Sequence, residues 1–168
     1  MIKHVLVATD GSDKAREAVA MAAHLAKPVE ARLTILHVIL HGPKAAETSR
    51  FFQRERLAHP QATMPSFSRP TDELFQVSQG DIGQIVSVLG DGIVEEAANE
   101  ARSLGVGHVD ARVEPGEYAE TILAIAEEIG ADMIVVGSRG LGRFRGMLLG
   151  SVSRKITQRA HCSVMVVR

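Results

Sequence analysis

The chain has 168 residues, 45% hydrophobic and 23% charged, enough apolar material for one sizeable core and too much for a disordered chain. Nineteen Lys and Arg against 20 Asp and Glu leave a net charge of −1, which excludes recruitment to nucleic acid or to an anionic membrane by bulk charge. Aromatic residues are 4% with no Trp, too few for a stacking platform along single-stranded nucleic acid, and the lone Cys162 cannot form an internal disulfide.

Residues 2–8 are a short apolar, β-branched run that turns polar at Thr9-Asp10-Gly11-Ser12, a strand followed by a turn. The run is too short for a signal-peptide core, and no window approaches ~18 apolar residues. A cytoplasmic protein without membrane insertion is the expectation. Ser12 suits a helix N-cap, and Ala15, Ala18, Val19, Ala22, Ala23 and Ala26 then recur on one helical face, which Pro28 closes. Residues 31–40 read as a second strand. Strand, helix and strand in this order make a βαβ unit with parallel strands.

Residues 41–80 interrupt the rhythm. They hold Pro43, Pro60, Pro65 and Pro70, together with Phe51, Phe52, Phe67 and Phe75. An insertion of this length between a strand and its crossover helix far exceeds the usual connection. It reads either as a surface loop or as a lid or partner-binding segment beside the cleft, the phenylalanines favouring the second. Beyond it, Ile93, Ala97, Ala101 and Leu104 mark a helix ending at Gly105; Gly90 and Gly92 weaken its extension back towards Ile85. Residues 108–113 read as a third strand. Tyr118, Ile122, Ile125, Ala126 and Ile129 mark a helix closed by Gly130. Residues 133–136 read as a fourth, buried strand, Val152, Ile156 and Ala160 as a short helix, and residues 164–167 as a fifth strand. Continuous apolar strands alternating with helices specify a single doubly wound, Rossmann-like α/β domain, a parallel sheet with helices on both faces.

The strongest chemical signal is residues 137–153, GSRGLGRFRGMLLGSVS. The stretch leaves the carboxyl end of a buried strand, where ligands bind in open α/β sheets. Its glycines let backbone N–H groups approach an anion. Arg139, Arg143 and Arg145 add positive charge, and Gly150-Ser151 opens a helix whose N-terminal N–H groups suit a phosphate. Together these features point to a polyphosphate. The Gly-x4-Gly-Lys-Ser/Thr loop of P-loop NTPases is missing, and the glycines follow the fourth strand, where the dinucleotide fingerprint would follow the first.

The spacing Gly137-x2-Gly140-x9-Gly150-Ser151 resembles the ATP-binding signature of the universal stress protein family. So do residues 5–12 (VLVATDGS), the second strand ending Leu36-His37-Val38, and residues 131–137 (ADMIVVG). The likeness covers nearly the whole chain outside residues 41–80. It implies a five-stranded parallel sheet in the order 3-2-1-4-5 and a bound adenine nucleotide, ATP or AMP/ADP, with Mg2+. By the same resemblance Ala8, Thr9, Asp10 and Val38 would hold adenine and ribose, with Val136 beside them. Gly137, Arg139, Gly140, Gly150, Ser151, Val152 and Ser153 would hold the phosphates. Asp10 would accept from a ribose hydroxyl or sit near the metal; it also suits an Asx-turn, and the two roles are compatible. The strand order implied makes residues 164–167 an apolar edge, and the family pairs that edge in a homodimer. Ser163 stands where the family commonly has proline, which frees one N–H at the start of the last strand.

The seven histidines (4, 24, 37, 41, 59, 108 and 161) show no zinc spacing and read as structural or surface residues, and Cys162 as a small buried hydrophobe. Ser138, Ser151 and Ser153 have no His base near them in sequence, so no catalytic residue is assigned. The expectation is therefore a regulatory nucleotide-binding stress protein, not an enzyme, though slow ATP turnover would be compatible with it. A nucleotide-free dimeric scaffold of the same fold is the alternative. An ATP pyrophosphatase is disfavoured, because those enzymes carry Ser-Gly-Gly-x-Asp after the first strand.

Overall fold

The structure, a computed structural model, describes residues 1–39, 82–140 and 149–168. The strands are β1 His4–Ala8, β2 Arg32–Ile39, β3 Val109–Pro115, β4 Met133–Gly137 and β5 Ser163–Val167. The helices are α1 Asp13–Ala26, α2 Ile82–Ser103, α3 Tyr118–Glu128 and α4 Ser151–Arg159, with a 3-10 turn at Lys27–Val29. The strands form one parallel sheet in the order β3-β2-β1-β4-β5. Both the strand order and the α/β class agree with expectation.

The period-2 geometry of the strands splits the core into two layers. Val5, Val7, Leu33, Ile35 and Val135 face α1 and α2, where they meet Ala18, Val19, Ala22, Ala23, Val94, Ala97 and Ala101. Leu6, Leu36, Val38, Ile134 and Val136 face α3 and α4, where they meet Ile122, Ile125, Ala126 and Ile156. All six residues of the α1 stripe are buried. Ser12 caps α1, its hydroxyl accepting from the Ala15 N–H at 3.3 Å.

Two details differ from the sequence reading. α2 starts at Ile82 and runs unbroken through Gly90 and Gly92. Gly90 is buried, and a Cβ there would lie 3.1 Å from side-chain carbons of Ile39 and Val113 and 3.2 Å from His37. The missing side chain lets the helix lie close on the sheet, which offsets the propensity lost. β3 extends to Pro115, because Ile39 and Pro115 remain in register and the Gly116 N–H donates to the Ile39 carbonyl at 2.9 Å. The 41–80 insertion, Arg143 and Arg145 lie outside the described residues.

Candidate functional site

The chain turns from β1 through α1 to β2 on one side, and later enters β4 on the other side of β1. In open α/β sheets the ligand crevice lies where the direction reverses, here at the carboxyl ends of β1 and β4. The segments after these two strands carry most of the residues singled out in the sequence.

After β1 the turn is built by its own side chains. The Gly11 N–H donates to Thr9 Oγ1 at 3.2 Å, and the Ser12 N–H to Asp10 Oδ1 at 3.0 Å. Gly11 takes φ 76°, a conformation that favours glycine. The Thr9 N–H donates to the Leu36 carbonyl at 2.9 Å. His37 Nδ1 lies 2.8 Å from the Thr9 carbonyl, which can only accept, so this nitrogen carries the proton. Asp10 is thus a half-buried carboxylate held by the Ser12 N–H at the carboxyl end of β1.

After β4 the chain passes close to two other segments. A Cβ on Gly137 would lie 2.9 Å from the Lys14 carbonyl carbon and oxygen, so α1 approaches β4 there as only glycine allows. A Cβ on Gly140 would collide with Asp10 Oδ2. The structure therefore brings Asp10 and Gly140, 130 positions apart in sequence, into contact across the crevice. Arg139 and Gly140 are exposed at its rim.

The loop's far end returns to its start. The Ser138 N–H donates to the Val167 carbonyl at 2.6 Å, and the Gly150 N–H to the Ser138 carbonyl at 2.7 Å. Ser153 is buried, and its hydroxyl lies 3.2 Å from the Ser138 carbonyl and 3.1 Å from that of Gly150. Its proton ties the two ends of the loop together, a structural duty that the spacing alone does not reveal. Gly150 caps α4 without a side-chain bond. The first-turn N–H groups, those of Ser151, Val152 and Ser153, lie at the positive end of the helix dipole. Ala8, Val38, Val136 and Val152 lie on the core layer that α3 and α4 cover, Val38 and Val136 buried and Ala8 and Val152 half-buried.

Sequence reasoning placed Tyr118 on a helix face and missed its position. It opens α3 at the carboxyl end of the sheet and packs half-buried on the same layer as Ala8, Val38 and Val152. Burial, and secondarily the Asp10 carboxylate, raises the pKa of its hydroxyl. The signal in the sequence was its place: Gly116-Glu117-Tyr118 follows β3 at the edge where β1 and β4 also end. Cys162 is half-buried against this layer, and burial raises the pKa of its thiol. Among the described residues no group of three or more His, Cys, Asp or Glu side chains gathers as a metal site.

Comparison with known proteins adds three findings. The family model described as "Universal stress protein family" matches residues 1–168, including 41–80. The chain is 35% identical over 168 residues to the universal stress protein YxiE of Bacillus subtilis, covering 100% of both. Two solved structures share the fold. One is a universal stress protein in complex with cAMP (TM-score 0.66, 24% identity, covering 99% of this chain and 97% of that one). The other is the universal stress protein from Archaeoglobus fulgidus in complex with dAMP (TM-score 0.62, 19% identity, covering 100% of both).

Proposed function

The chain belongs to the universal stress protein family, and from that premise we propose that it is an adenine-nucleotide-binding regulatory protein of the stress response. It acts by changing conformation or partner with the nucleotide bound, without relying on turnover. The observation that carries this reading is the contact of Gly140 with the Asp10 carboxylate, with the α4 N-terminus on the same crevice. Sugar hydroxyls require a fixed acceptor, and Asp10 is held in place by its bond from Ser12. Phosphates require convergent N–H groups, and residues 150–153 present them. The apolar side chains of Ala8, Val38 and Val136 suit a base. The ligands of the two solved relatives, cAMP and dAMP, are of the same chemical class.

ATP, AMP or ADP fits this division of the crevice. Mg2+ binds through one or two carboxylates and the phosphates of its ligand, keeping several waters. Asp10 alone meets that requirement, so the ion would arrive with ATP rather than occupy a site of its own. In this reading Gly137, Arg139, Gly140, Gly150, Ser151, Val152 and Ser153 line the phosphate end, Ser153 by shaping the loop. Homodimerisation through β5 completes the proposal, since β5 is an edge strand with four consecutive apolar residues. Among the described residues no helix is long and apolar enough to cross a membrane, and a cytoplasmic site of action accompanies the nucleotide reading.

A ligand that binds only the folded state stabilises it by RT ln(1 + [L]/Kd), about 2.7 kcal/mol at a hundredfold excess over Kd. ATP with magnesium is expected to raise the melting temperature of the wild-type protein. Gly140→Val, which drives a branched side chain onto Asp10 in an exposed loop, is expected to abolish most of that rise while the unliganded protein still melts cooperatively. An undiminished ATP response in Gly140→Val would exclude the glycine loop as the phosphate site.

A further inference from the structure

We propose that Tyr118 is a specificity-determining residue of the crevice: its ring is the wall on which the ligand's base lies, so the site selects nucleotides over bare polyphosphates. The inference rests on the nucleotide reading of the crevice and deepens it.

Position comes first. The bond from the Gly116 N–H to the Ile39 carbonyl ties the end of β3 to the end of β2, and Tyr118 starts α3 two residues later. The ring therefore emerges at the carboxyl edge of the sheet, level with the crevice. It packs on the layer that includes Leu6, Leu36, Val38 and Val136, on which Ala8 and Val152 also rest. Leu6, Leu36, Val38 and Val136 are closed off in the core, whereas Ala8, Val152 and the Tyr118 ring are half-buried and keep apolar surface at this edge of the sheet.

Chemistry comes second. Tyr118 is the only Phe, Tyr or Trp among the described residues, and so the largest aromatic face among them. A base stacked on an aromatic ring gains attraction that a phosphate chain cannot. Burial, and after it the Asp10 and Glu117 carboxylates, raise the pKa of the Tyr118 hydroxyl above the ordinary 10.

The composition supplies the probe. The chain has one Tyr and no Trp, so the tyrosine emission of the whole protein comes from Tyr118. AMP is expected to quench it saturably, and inorganic tripolyphosphate to leave it unchanged. By calorimetry, Tyr118→Ala is expected to weaken AMP about tenfold or more, and tripolyphosphate by less than about twofold. Tyr118→Phe, which keeps the ring, is expected to restore most AMP affinity. AMP binding without quenching, with the same Kd in Tyr118→Ala, overturns the inference and leaves the nucleotide reading standing. Equal weakening of both ligands in Tyr118→Ala overturns it too, since that is the mark of a structural role. If tripolyphosphate is not held at all, the AMP quenching decides. A wild-type protein that binds neither AMP nor ATP overturns both the inference and the nucleotide reading.

Discussion

His4 is buried at the opposite end of the sheet from the crevice, and its ring is satisfied as a neutral group. Its Nδ1 lies 3.2 Å from the Ile129 carbonyl and must donate to it, which leaves Nε2 to accept from the Thr34 hydroxyl at 2.8 Å. Burial lowers its pKa below the ordinary 6.5, with Arg32 in the same direction; the Ile129 carbonyl, Asp110 and Asp132 oppose them and lose. An unfolded histidine titrates near 6.5, so below that pH the unfolded chain binds a proton that the folded chain resists. Stability from this ring is therefore complete above pH 6.5 and is lost as pH falls towards the lowered folded value. The denaturation midpoint of the wild-type protein should decline below pH 6.5 more steeply than that of His4→Gln; parallel profiles would show that His4 contributes nothing. Asp132 acts in a more acidic window. The Lys3 and His4 N–H groups, at 2.7 and 3.0 Å, hold its carboxyl below the ordinary 3.8. At this scale the sequence was only partly legible. Asp10 was readable as an Asx-turn residue after the first strand, and the Ser12 N–H does donate to its carboxylate at 3.0 Å. The Ser163 N–H, unmasked by the lack of proline, was readable as a freed donor, but its acceptor, the Asp132 carbonyl at 3.2 Å, depends on the β4–β5 pairing. The inward bond of Ser153 and the reach of His37 to the Thr9 carbonyl are likewise tertiary facts that no local spacing encodes.

Among the elements, α1 shows how small residues set the site's geometry. Five of the six residues in its buried stripe are alanines, so the helix lies close on the sheet. Its first turn comes within van der Waals reach of Gly137, where a Cβ would meet backbone atoms of Lys14 at 2.9 Å. Backbone cannot rotate away as a side chain can. Gly137→Ala should therefore destabilise by roughly 1–3 kcal/mol, the usual cost of overpacking, seen as a lower denaturant midpoint at unchanged slope. A neutral result would mean that α1 shifts freely on β4. Most elements were legible in the sequence because the signals were clean, a 3.6 period along α1 and α3 and largely apolar runs in β1, β2 and β4. α2 was the exception at its amino end. Two glycines read as weakness, whereas Gly90 is the point where the helix presses on β2 and β3. Propensity is local, and a close approach between elements is not.

For the whole molecule, the question is what covers β5. The strand pairs with β4 along one side, from Met133 with Ser163 to Gly137 with Val167, and ends the sheet on the other. Val164 and Val166 lean on the α3/α4 layer, Met165 and Val167 on the α1/α2 layer. All four are only half-buried within one protomer. An apolar edge strand exposes N–H and C=O groups as a template for another strand, and a protein that stays soluble must pair or cover it. A two-fold axis beside β5 would pair it with its own copy, extending the sheet across both subunits. Light scattering at tens of micromolar should give a mass about twice 18.1 kDa. Val166→Lys places a charge on the proposed seam and should shift the mass towards the monomer, with circular dichroism confirming that the protomer still folds. A monomeric wild-type protein at that concentration removes the dimer. The crevice is independent of this outcome, since the Asp10, Gly140 and α4 contacts that define it lie within one chain. Nucleotide binding should therefore persist in the monomeric variant. If it is lost while the fold remains, β5 pairing also holds the loop through the Ser138 to Val167 bond, which joins the edge strand to the start of the glycine-rich segment.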